Sequence, residues 1–139
     1  MIDTLISCIG MWGEYSQTFL WVVMPLTTLV FALPLFFAPL TWARWFQWRL
    51  PEGGNGRDLA VYFGRCLGAF VLIVEALMLR AALTGDGLAF TFQVLLFVSL
   101  MMVLVHVRGA LEQRQPLIET LEIAMYGGLG LLAILFFPV

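Results

Sequence analysis

One run, Arg57 to Gly85 (RDLAVYFGRCLGAFVLIVEALMLRAALTG), limits what this chain can become more than any other. A hydrocarbon core of about 30 Å needs about 20 helical residues, and Leu59 to Leu79 supplies them. Arg65 and Glu75 nevertheless fall inside that span. A charge near the centre of a membrane helix costs about 2.5–3.5 kcal/mol even on the lenient insertion scale. Two charges on one helix therefore require that part of its surface meets protein or water. Gly64, Gly68, Glu75 and Leu79 share a narrow stripe, because steps of four, seven and four return to nearly one side of the helix. Gly64 and Gly68 also make a small-xxx-small pair, which lets another helix approach closely. The segment is expected to be the buried helix against which the others pack.

Composition extends this to the whole chain. With 62% hydrophobic and 12% charged residues over 139 positions, it cannot hide its apolar surface in a soluble fold, where about a quarter of residues are charged. The expected class is an all-α integral membrane protein of one domain. A net charge of −2 and the absence of lysine exclude a nucleic-acid footprint. Cys8 precedes the first span and Cys66 lies within the second, so a disulfide would have to join different membrane depths. The first residues carry no basic n-region and do not read as a cleaved secretory signal.

Residues 1–17 hold Asp3 and Glu14 but no basic residue, with Ile2, Leu5, Ile6, Ile9 and Trp12 at helical steps. They predict a short amphipathic helix resting on the outer interface or on a partner. Residues 18–139 predict a four-helix antiparallel transmembrane bundle with spans at about 19–40, 59–80, 88–107 and 117–137. The first span contains Pro25, Pro34 and Pro39, each of which removes a backbone donor. Trp42, Arg44, Trp45, Trp48 and Arg49 follow, an alternation of flat amphipathic rings and snorkelling cations that suits a membrane–water boundary. Pro51 to Gly56 breaks the helix, Pro116 suits the first position of the last one, and Gly127 and Gly130 favour close packing within it. Arg44, Arg49, Arg57, Arg108 and Arg114 lie in two connections on one side, against Arg80 alone at the other. The positive-inside rule then puts both termini outside, which in a bacterial inner membrane is the periplasm.

Sorted by depth, the inner half holds Asp58, Tyr62 and Arg65 on one face of the second helix, His106 near the end of the third, and Glu119 and Glu122 in the fourth. If those helices are neighbours, the groups converge on a polar site, with Arg65 as a fixed cation and His106 and the glutamates as proton acceptors. An ordinary structural role stands beside that one: Glu119 complements a helix dipole, His106 ends a helix, and Arg65 pairs with Asp58 or Glu122. Glu75 cannot meet Arg80 across five residues of its own helix, so its partner belongs on another helix, another subunit or a water pocket. The chain has one histidine, no Glu-x-x-His repeat and no Cys–His cluster, so no metal is expected. No nucleophile elbow or phosphate loop is present. No cofactor is called for, although a bound lipid would suit Arg65.

From Arg57 onward the chain resembles small DoxX-like tetraspan proteins and is similar to the ergosterol-biosynthesis scaffold family. The shared features are Phe63-Gly64-Arg65 with Gly68 at the start of the second helix and Glu119 with Glu122 at the start of the fourth. The three-tryptophan belt and the acidic N-terminus match neither group. The resemblance implies a non-catalytic membrane protein that holds other membrane proteins together or assists a redox or lipid enzyme. The leading expectation is an accessory or scaffold subunit contacting membrane lipids and other integral proteins, or copies of itself. Alternatives are a small oligomeric proton-coupled transporter or channel, and a lipid- or quinone-modifying enzyme.

Overall fold

The computed structural model describes residues 7–139, and among them there is no β-strand. We number the helices α1 (Gly13–Phe37), α2 (Pro39–Trp45), α3 (Gly54–Thr84), α4 (Leu88–Leu111) and α5 (Leu117–Leu135). Four of them, α1, α3, α4 and α5, are long and apolar enough to cross a membrane. α1 and α2 pack on α3, and α5 packs most extensively on α4.

Proline shapes α1. Pro25 brings no N–H to the helix, and immediately after it the coil widens to a π-helix over Thr28–Ala32. Pro34 likewise leaves the Val30 carbonyl without its i+4 donor, and the Trp42 indole N–H fills that gap at 3.0 Å. Ala38, placed before Pro39, leaves the helical region at φ −139° and ψ 57°, which ends α1 and starts α2. The first span therefore stops at Phe37, short of the 19–40 read from hydropathy, and Pro39 and Leu40 belong to a separate helix.

The amphipathic helix expected over 1–17 is corrected where it can be described. Residues 7–12 form turns, and the part of that helix on residues 1–6 lies outside the described residues. The turns are stitched to the far end of α5: Gly10 N–H donates to Ile134 O at 2.9 Å, and Trp12 N–H to Leu135 O at 2.8 Å. Gly10 does this at φ +70°, a conformation that costs a residue with a Cβ. Backbone donors committed to α5 are not free to propagate a helix.

The buried apolar core gathers Phe19 and Leu20 from α1, Met78, Ala81 and Ala82 from α3, Phe92 and Leu95 from α4, and Ala133 from α5. The beginnings of α1 and α4 thus meet the ends of α3 and α5. Phe19 stacks on Phe136 at 5.0 Å between ring centroids and tilts against Phe92 at 5.6 Å, joining α1, α4 and the chain end. Towards the middle of α3 the α1–α2 corner comes close: a Cβ at Gly68 would lie 2.6 Å from Phe36 N, and one at Gly64 would collide with the Pro39 ring. Those glycines therefore serve close packing. Of the glycines in α5, Gly130 faces Ser99, whose Cβ would be 3.3 Å away. A Cβ at Gly127 would meet nothing within 4 Å among the described residues, so Gly127 is not a helix-packing contact within them, a correction to the stripe read from spacing.

Candidate functional site: a buried histidine–carboxylate cluster

α4 delivers His106 and the first turns of α5 deliver Glu119 and Glu122, and the three are only 3%, 6% and 6% exposed. The hairpin between them is set by local chemistry. Gln113 takes a left-handed φ of 54° after the last turn of α4, where a helix end commonly needs one. Gln115 then donates to His106 O at 2.9 Å and contacts Thr120 Oγ1 at 3.0 Å, tying the connection to both helices. Pro116 caps α5, which begins one residue later at Leu117.

Hydrogen bonding fixes the imidazole tautomer. His106 Nδ1 lies 2.6 Å from Met102 O, and a carbonyl only accepts, so Nδ1 carries a proton and donates it. Nε2 then points at two carboxylates, 3.1 Å from Glu119 Oε2 and 3.3 Å from Glu122 Oε2. Glu119 Oε1 accepts from the Trp48 indole N–H at 2.6 Å. Trp48 arrives there because Gln47, at φ 63°, turns the chain out of α2. Tyr126 lies one turn beyond Glu122, its ring 5.3 Å from that of His106. Glu122 Oε1 is buried and has no hydrogen-bond partner among the described residues.

Glu75 occupies a second polar site. It is 7% exposed, and its two oxygens meet the hydroxyls of Thr27 and Thr28 at 2.8 Å and 2.7 Å. Both threonines sit where α1 changes to the π-helix, and each hydroxyl also lies within 3.1 Å of backbone carbonyls one turn back. The partner of Glu75 is thus on another helix, and Arg80 is exposed.

The remaining residues singled out from sequence do not join either cluster. Asp58, Tyr62 and Arg65 are exposed on α3, and among the described residues no ion pair or side-chain hydrogen bond engages them. The convergence drawn from depth is therefore limited to His106, Glu119 and Glu122. Arg44, Trp45, Trp48 and Arg49 are exposed, and Trp42 and Trp48 give their indole N–H groups to partners in the chain, Val30 O and Glu119 Oε1. Sequence reasoning missed Trp48 as a partner of Glu119, and the Thr27–Thr28 pair as the seat of Glu75. The second had a visible signal: adjacent hydroxyls just after a proline in an otherwise apolar run. Comparison with protein-family models, with curated proteins and with solved structures finds no match to this chain.

Proposed function

We propose that the protein is an integral membrane accessory subunit that binds laterally to another membrane protein through one face of α3. The observation that carries this is Arg65, exposed beside Asp58 and Tyr62 on the outside of a helix long enough to span the bilayer. At a rise of about 1.5 Å per residue, Arg65 lies about 9 Å inside the span that begins at Leu59. An unpaired guanidinium at that depth is costly, and a carboxylate on a neighbouring helix relieves the cost. A second copy of the chain fits poorly. A two-fold axis along the membrane normal would set Arg65 against Arg65, so the charge pattern favours a different polypeptide with an acidic residue in its span.

The arrangement around this face is an antiparallel four-helix bundle, supported by the opposed ends of α1, α3, α4 and α5 that share the core. We place the end bearing Arg44, Arg49, Arg57, Arg108 and Arg114 in the cytoplasm of a bacterium and both termini in the periplasm. Lipid surrounds the rest of the exposed apolar surface. The Phe63-Gly64-Arg65 resemblance to DoxX-like and ergosterol-scaffold proteins points the same way.

A photo-crosslinking side chain at Tyr62, which is 64% exposed, tests the reading in native membranes. The expected product is an adduct with one other polypeptide, cross-linked next to an acidic residue in its membrane span and abolished by Arg65→Leu. Adducts with lipid alone, or protein adducts indifferent to Arg65→Leu, would overturn it.

Proton-coupled transport is a second reading, favoured by one observation. Glu75 and Thr28 line an open groove of about 560 Å³ with Met24, Pro25, Leu72 and Leu79. Full pH-driven uptake into liposomes by Glu75→Gln would remove it.

A further inference from the structure

We propose that His106, Glu119 and Glu122 bind one divalent transition-metal ion, of the kind that accepts imidazole and carboxylate together. The inference is independent of lateral association through α3. Its basis is a count of donors and acceptors. With Nδ1–H given to Met102 O, the Nε2 lone pair of a neutral His106 faces two carboxylate oxygens at 3.1 Å and 3.3 Å. Two carboxylate oxygens and the Nε2 of one imidazole so placed need a positive centre between them, which is either a proton on Nε2 or a cation.

Several features fit a metal in that place. One ligand atom from each residue can be chosen so that all lie within 4.8 Å of one another. Ligands about 2.0–2.2 Å from a tetrahedral zinc stand about 3.4 Å apart, close to the two distances measured from Nε2. The outer contacts are those that orient ligands: an imidazole N–H held by a backbone carbonyl, and a ligating carboxylate held by the Trp48 indole. Glu122 Oε1, buried and without a hydrogen-bond partner among the described residues, is a further acceptor of this carboxylate left for a cation to satisfy. Charge agrees as well, since a dication with a neutral imidazole and two carboxylates sums to zero, the cheapest state to bury at the end of a bundle. Imidazole with carboxylate suits zinc, iron or manganese better than the all-oxygen shells of calcium and magnesium. The ligands come from two helices, which is why no Glu-x-x-His spacing announces them.

The test uses the full chain, purified in detergent without a polyhistidine tag, stripped with a chelator and titrated with Co²⁺ and then Zn²⁺. One Co²⁺ per chain is expected, with visible ligand-field bands that Zn²⁺ removes. Trp48→Phe should weaken the affinity about 10–100-fold, as loss of an outer-shell partner does. Glu122→Gln, nearly isosteric and so able to fold where His106→Ala fails, should weaken it at least as far. Absence of stoichiometric Co²⁺, or an affinity that Glu122→Gln leaves within about twofold of the unmodified protein's, well short of the outer-shell effect, would overturn the site and leave a proton between the three acceptors.

Discussion

Residue by residue, polar groups in this chain are placed to satisfy one another across helices. Thr28 shows it best. Its hydroxyl sits 2.7 Å from Glu75 Oε2 and 2.8 Å from Met24 O, so its one O–H stands between the buried carboxyl and a carbonyl of the preceding turn. Thr28→Val should lower stability by about 1–3 kcal/mol, the usual cost of stranding a buried polar group, read as a lower midpoint of thermal unfolding in detergent. Trp42→Phe keeps an aromatic ring where the indole stacks on Phe46 at 4.3 Å but removes the donor to Val30 O. A loss of about 0.5–1.5 kcal/mol is expected, with faster amide hydrogen exchange around the π-helix. The sequence shows the two hydroxyls beside Pro25 but not that Glu75 is what they meet, and it does not show that Trp48 meets Glu119. The threonines stood in plain view, but their partner lies 47 or 48 residues away, and local patterns do not encode such a contact. Trp48 was hidden by its neighbours, since three tryptophans at three-residue steps read as a boundary belt.

At the scale of elements, the apolar lengths of α3, α4 and α5 were legible because hydrophobic runs bounded by turn residues mark them. α1 was misjudged at its end, where Ala38 and Pro39 outweigh continuing hydropathy. Glycine spacing was informative only where a neighbour exists. Gly64 and Gly68 meet backbone or ring atoms of the α1–α2 corner, while Gly127 meets nothing among the described residues. The two kinds of glycine should respond oppositely to a methyl group. Gly68→Ala should destabilise by about 1–3 kcal/mol through overpacking. Gly127→Ala should be neutral or stabilise by up to about 1 kcal/mol, because alanine is the better helix former. Parallel thermal unfolding curves of the two variants in one detergent check the contrast.

On the scale of the whole molecule, the polar groups divide by where they face. His106, Glu119, Glu122 and Glu75 turn inward and are engaged within the chain, whereas Arg65, Asp58 and Tyr62 turn outward and, among the described residues, make no ion pair or side-chain hydrogen bond. Depth along a helix could be read from sequence, and it brought the inner group together on paper. Helix rotation could not, because Asp58, Tyr62 and Arg65 share a face whether that face is buried or exposed. Their outward direction is what makes a membrane partner the central claim. Native mass spectrometry of the protein, extracted from its own membrane into nanodiscs, tests that claim most directly. The expected particle contains this chain and a second polypeptide in fixed stoichiometry, and Arg65→Leu reduces it to the chain alone. A lone monomer or a symmetric oligomer of this chain, unchanged by Arg65→Leu, would contradict it.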